Sequence, residues 1–324
     1  MRRQTLIRLA ATVAATATVT AAAAACGAGG GANRAGDRLE LVAAFYPLEF
    51  VADRVGGERV SVTGLASPGA DAHEWELAPS QVAAIDSADL VIYLSGFQAS
   101  VEAAVAQYAP EALDAAEVVP LLAAPERGEE GDRAGDSDAG DDGRPGDDHD
   151  HGGADPHVWL DPDRLATIVD AVAERLSAVD PDHAAGYATR ADALRADLAT
   201  LDAQYADGLA GCARREIVVS HAAFGYLADR YGLSQIAISG LAPEDEPTPQ
   251  QLAAVMEQAR DHGATTVFSE VQASAEVAGV IAAQLGAGTA TLDPIESLAP
   301  DSGEDYLSLM RANLATLREG LGCP

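Results

Sequence analysis

The chain has 324 residues and carries 51 acids against 20 basic residues, a formal charge of −31. A surplus of that size repels phosphates and argues against a nucleic-acid partner. It suits a cationic ligand, although an acidic surface also serves solubility alone.

The N-terminus reads as an export signal. Arg2, Arg3 and Arg8 precede an Ala/Val/Thr-rich run that ends in Ala23-Ala24-Ala25-Cys26-Gly27. Small residues before a cysteine predict cleavage after residue 25 and lipidation of Cys26. Ala23 stands where leucine is usual, so an ordinary cleaved signal with an incidental Cys26 is the alternative. The apolar run is short and weakly hydrophobic for a membrane span. Residues 26–36, rich in Gly and Ala, read as a flexible tether. The leader carries three arginines and no acids, so its loss would take the charge from −31 to −34.

From residue 37 onward short apolar runs alternate with helical patterns. Strands are predicted at Leu39–Ala44, Val60–Leu65, Leu90–Leu94 and Glu117–Val119, then at Glu216–Ser220, Gln235–Ile238, Thr265–Ser269 and Gly288–Leu292. Helices are predicted between them, for example Gln98–Gln107, Pro249–His262 and Ala273–Leu285. Such alternation gives an α/β fold of two lobes, each a four-stranded, mainly parallel sheet flanked by helices. The N-terminal lobe would cover 37–180 and the C-terminal lobe 210–324. Between them Arg164–Val179 reads as one helix. Residues 181–209 read as a long rigid linking helix of roughly 40 Å, with two shorter helices broken near Gly186 as the alternative. Residues 125–153 form an acidic, low-complexity insert containing His149 and His151. It has almost no apolar residues and should stay disordered.

Apart from Cys26, only Cys212 and Cys323 remain. In an exported chain they can form a disulfide; two separate thiols are the alternative.

His73, His157, His221 and Asp293 each sit in a loop after a predicted strand, 84, 64 and 72 residues apart. Open α/β sheets bind ligands beyond the carboxyl ends of their strands. Each lobe would then supply two ligands to a transition-metal site in the cleft. Singly, each residue is more often a loop or capping residue, and an Asp before Pro is most often a turn former. The joint pattern is what points to a metal.

Several motifs carry a family resemblance over nearly the whole mature length. They are the G-x-D-x-H segment Gly69–His73, Asp155–Pro162 (DPHVWLDP), Ser220–Leu233 (SHAAFGYLADRYGL), Leu241–Gln250 (LAPEDEPTPQ), Phe268–Gln272 (FSEVQ) and Leu292–Ile295 (LDPI). The chain resembles the zinc/manganese solute-binding lipoproteins of metal ABC importers, in their zinc-binding form. That resemblance implies ligation of Zn2+ by His73, His157, His221 and Asp293, with a nearby acid or a water as substitute for Asp293. Manganese members usually have a carboxylate at the place of His221, and imidazole suits zinc better than manganese. A manganese-specific receptor of the same class is the alternative. In some zinc members a glutamate precedes the first histidine; here it is Ala72.

Glu270, also at a strand end, is expected to support a ligand rather than bind metal. His149 and His151 would capture metal loosely, or belong to a solvated linker. Trp75 and Trp159 are expected to pack around the site, and His183 and His262 to lie on the surface.

The implied partners are a permease with a cytoplasmic ATPase and, through the lipid, the outer face of the cytoplasmic membrane. The protein itself would be a monomer and not an enzyme. A zinc hydrolase is the competing class. It would need an open metal position, and the sequence has no H-E-x-x-H, no G-x-S-x-G and no phosphate loop. A surface adhesin is a third class, which no residue here supports.

Overall fold

The computed structural model describes residues 38–67, 69, 72–73, 75–109, 111–125, 153–243, 247–270, 275–299 and 302–324. The expected signal, the tether and nearly all of the acidic insert, with His149 and His151, lie outside these residues.

The first lobe contains strands β1 (Leu39–Ala43), β2 (Val60–Gly64), β3 (Leu90–Tyr93) and β4 (Leu113–Asp114). Its helices are α1 (Tyr46–Gly56), α2 (Pro79–Ser87), α3 (Ala99–Tyr108) and the single turn α4 (Ala115–Val118). Two long helices come next, α5 (Pro162–Val179) and α6 (Ala184–Leu209). The second lobe contains β5 (Glu216–Val219), α7 (Gly225–Tyr231), β6 (Ser234–Ala237), α8 (Pro249–Asp261), β7 (Thr266–Ser269), α9 (Ala275–Leu285), β8 (Gly288–Thr291) and α10 (Tyr306–Leu321).

Both sheets are parallel and wound in the same sense, in the orders β2-β1-β3-β4 and β6-β5-β7-β8. The inner strands are short Val/Ile/Leu runs buried on both faces, as parallel sheets covered by helices require. Every predicted strand is found within a residue or two except the fourth. That strand is Leu113–Asp114, and Glu117–Val119 falls mostly in α4. The side chain of Asp114 accepts the N–H of Ala116, and this cap turns the next residues into a helix.

Helix α6 is continuous through Gly186 and has 26 residues, about 39 Å at 1.5 Å per residue. Tyr187, Ala191, Leu194, Leu198, Leu201, Tyr205 and Leu209 form one buried stripe along it. The helix packs on α1 and α5 of the first lobe and on α7 and α10 of the second. Arg190 donates from Nε to the Val55 carbonyl at 2.6 Å and from Nη2 to that of Gly56 at 2.9 Å. A cation there complements the carboxyl end of α1. One apolar core runs through the first sheet, α5, α6 and α10 to the inner side of the second sheet. A smaller, separate cluster fills the space between the second sheet and α8 and α9.

Cys212, just after α6, and Cys323, just after α10, form a disulfide. Among the described residues no helix is long and apolar enough to cross a membrane.

Candidate metal centre

The segment Asp155–Pro162 joins the two lobes at the sheet ends. Tyr226 of α7 donates its hydroxyl to the Asp155 carbonyl at 2.7 Å. Tyr306 of α10 donates to the Trp159 carbonyl at 2.6 Å. The Trp159 indole donates to the Pro294 carbonyl at 2.7 Å. Asp161 caps α5 by accepting the N–H of Asp163, and Arg164 and Arg230 flank its carboxylate. Burial still holds Asp161 above the usual carboxylate range, against the pull of those arginines.

Four side chains converge beyond the carboxyl ends of the strands: His73, His157, His221 and Glu296, all buried. Glu296 Oε1 lies 3.3 Å from Nε2 of His73, 3.5 Å from Nε2 of His157 and 3.3 Å from Nε2 of His221. The Nε2 atoms of His157 and His221 are 3.4 Å apart. A tetrahedral ion bound through bonds of ~2.0–2.1 Å places its ligand atoms about 3.3–3.4 Å from one another. The three contacts of Glu296 and the His157–His221 pair are close to that spacing, and all four donors lie within 4.8 Å of one another.

Two of the rings are oriented by carboxylates. Asp155 accepts both the backbone N–H of His157, at 2.9 Å, and its Nδ1–H, at 2.8 Å. Glu270, directly after β7, accepts the backbone N–H of His221 at 3.1 Å and its Nδ1–H at 2.6 Å. With the proton fixed on Nδ1, each ring turns Nε2 to the centre. Phe45, Phe97 and Trp159 pack together behind the rings of His73 and His157. Gln98, buried at the start of α3, donates to the Ala72 carbonyl and so holds the segment that carries His73.

The electrostatics arise from this packing. Burial opposes a charge on His221, but hydrogen bonds and charge from Glu270 and Glu296 outweigh it and push the ring up to about 10. His157 is also raised: the bonds to Asp155 and Glu296 overcome its burial. Burial alone would raise Glu296, yet the three histidines hold it well below the usual carboxylate range.

The expected histidines therefore meet, and the expected carboxylate does not join them. Asp293 uses Oδ1 to accept the Ile295 N–H at 2.8 Å, the turn-forming role that Asp-Pro commonly plays. Glu296, three residues on, occupies the fourth corner. The only signal for it in the sequence is a second carboxylate in the same loop. Trp159 packs on His157 as expected. The Trp75 carbonyl accepts the Ser100 hydroxyl. His183 pairs with Asp180 and His262 with Glu216, both away from the centre.

The sequence profile of a family described as "Zinc-uptake complex component A periplasmic" matches residues 41–320. The high-affinity zinc uptake system protein ZnuA of Bacillus subtilis is 32% identical over 297 residues, covering 90% of each chain. The zinc-binding lipoprotein AdcA of Streptococcus pneumoniae is 34% identical over 289 residues. Those residues are 88% of this chain but only 56% of that lipoprotein, so the chain spans little more than half of its length. Among solved structures, the Zn(II)-bound ZnuA-like domain of Streptococcus pneumoniae AdcA superposes with a TM-score of 0.70 at 31% identity. That match covers 88% of this chain and 99% of the domain. The laminin binding protein Lmb of Streptococcus agalactiae, described as having adhesin and metal transporting activity, gives 0.73 at 29% identity. It covers 87% of this chain and 99% of its own.

Proposed function

The chain belongs to the zinc-uptake complex component A family, and from that membership we propose that it captures Zn2+ outside the cytoplasm and passes it to an ABC importer. The permease and its ATPase are the partners the family implies. The observation that carries the reading is the set of four buried donors within 4.8 Å of one another, three of them imidazoles, each 3.3–3.5 Å from the Glu296 carboxylate. Such a set suits zinc and offers manganese too few oxygens. Four protein donors also leave no open position for a reacting water, which favours a receptor over a hydrolase.

In this reading His73, His157, His221 and Glu296 are the ligands, and Asp155 and Glu270 orient two of them. Lipidation of Cys26 would tether a monomer to the outer face of the membrane. His149 and His151 would add weak capture sites. The rigid α6 and the bonds that strap Asp155–Pro162 to the second lobe support release by local distortion of the site rather than by wide hinge opening. Large domain closure between metal-free and zinc-loaded protein in small-angle scattering would contradict that.

The deciding experiment is a competition titration of Zn2+ against Mn2+ on residues 26–324, repeated with His221→Ala. Tight one-to-one zinc binding that is lost in the variant is expected. Manganese preference, or zinc binding indifferent to His221, would overturn the assignment.

A further inference from the structure

Ile295 has φ 59° and is the one non-glycine among the described residues with positive φ. A β-branched residue is poorly suited to that region, so its neighbours must hold it there. They do so through the main chain. Asp293 N–H donates to Asn313 Oδ1 at 2.9 Å, and Asn313 Nδ2 donates back to the Asp293 carbonyl at 2.7 Å. The Pro294 carbonyl accepts from the Trp159 indole at 2.7 Å, and Ile295 N–H donates to Asp293 Oδ1 at 2.8 Å. Proline has no N–H, so every polar main-chain group from Asp293 N to Ile295 N is partnered. Asn313 lies buried on α10, with 3% of its surface exposed, and spends its amide on this turn.

The next residue is Glu296, whose carboxylate must reach three imidazoles at once. A side chain of three rotatable bonds could point elsewhere; a backbone fixed at the preceding residue narrows where it can go. We propose that Asp293 and Asn313 are positioning residues that lock this turn so that Glu296 stands at the fourth corner. By fixing the reach of the one oxygen donor, they set the site's preference for a small four-coordinate ion over Mn2+. This rests on the zinc-receptor reading of the site.

The test uses the mature chain and four variants, Glu296→Gln, Asn313→Ala, Asp293→Ala and Asp293→Asn. Zinc and manganese affinities are measured by competition. The visible spectrum of bound Co2+ reports coordination, because its bands strengthen as the metal becomes tetrahedral. Residues that orient a ligand typically control about ten- to hundredfold in metal affinity. A loss of that order is expected for Asn313→Ala and Asp293→Ala, with the zinc preference narrowed and the cobalt spectrum shifted towards that of Glu296→Gln. Asp293→Asn retains an Oδ1 acceptor for Ile295 and should keep the parent spectrum. If Asn313→Ala does not fold, the two Asp293 variants carry the test. Parent-like spectra and affinities in Asp293→Ala and any folded Asn313→Ala, with Glu296→Gln clearly altered, would overturn the positioning role. A Glu296→Gln protein unchanged in both would instead bring down the four-donor reading beneath it.

Discussion

His157 and His221 each donate the same pair of hydrogen bonds to a carboxylate, from the backbone N–H and from Nδ1–H, but the carboxylates lie at very different distances along the chain. Asp155 is two residues before its histidine, whereas Glu270 is 49 residues after, at the end of the neighbouring strand. The first clasp forms as soon as one short segment turns. The second exists only when β5 and β7 are paired in register. The backbone around His157 is also pinned independently, through Tyr226, Tyr306 and Trp159. A local clasp with a pinned backbone has reserve; a long-range clasp depends on one side chain.

That contrast is open to direct attack. The largest effect should come from Glu270→Ala, which leaves the His221 ring without its Nδ1 partner: zinc affinity should fall by about 100-fold. Asp155→Ala should cost only about tenfold, since the segment remains strapped to the second lobe. Equal losses in a competition titration would remove the distinction.

Protons offer a second handle. His221 titrates at about 10 in the metal-free fold, above the ~6.5 of a free imidazole. The stabilisation that this protonation gives is complete below about 6.5 and is lost as pH rises through about 10. Thermal unfolding of the metal-free protein should therefore show declining stability across that window. Zinc must displace the same proton, so its affinity should climb by about tenfold per pH unit from 7 to 9. Calorimetry in buffers of different ionisation heat should detect at least one proton released per zinc, since His157 is raised as well; none released would mean that the His221 ring is neutral before binding.

A smaller effect is expected from the other lobe. A Cβ placed on Gly225 would come within 2.5 Å of Asp155 Oδ2. Gly225→Ala should press on the local clasp alone and weaken zinc binding by roughly a few-fold, less than the ~10-fold low end for loss of a supporting group. A loss as large as that of Glu270→Ala would show that the His157 side has no reserve. The smallest effect belongs to deletion of residues 126–152, which should leave the tight site unchanged and remove only weak extra binding. Loss of tight binding on deletion would place a ligand in that segment.

Much of this architecture is legible from the sequence because it is written in local pattern. Strands such as β1, β3 and β5 are compact apolar runs, the others alternate with helical patterns, and α6 announces itself by a stripe at helical spacing. The fourth strand escapes such reading because two residues carry no periodicity, and the Asp114 cap makes a helical turn of Ala115–Val118. The three histidines are legible because each comes after a strand or a stiff turn. Glu296 is not, because the left-handed Ile295 before it is no residue type that signals such a turn, and the contacts that hold the turn are long-range: the Asn313 side chain from α10 and the Trp159 indole from the first lobe. Asp293 looks like the ligand because it comes directly after the strand, but its carboxylate is engaged by the backbone two residues on.

At the threshold of the acidic stretch, Ala123 and Ala154 form an antiparallel bridge. Ala124 N–H donates to the Gly153 carbonyl and Asp155 N–H to the Leu122 carbonyl. The chain thus leaves and re-enters at a single doorway, and the backbone that leads to His157 is set on the inner side of it. Length there is inexpensive, since each doubling of a loop adds only about 0.6 kcal/mol in closure entropy. Evolution or an engineer can therefore rewrite the sequence between Ala124 and Gly153, substituting a reporter or an affinity tag, while the pair of Asp155 and His157 stays where it is.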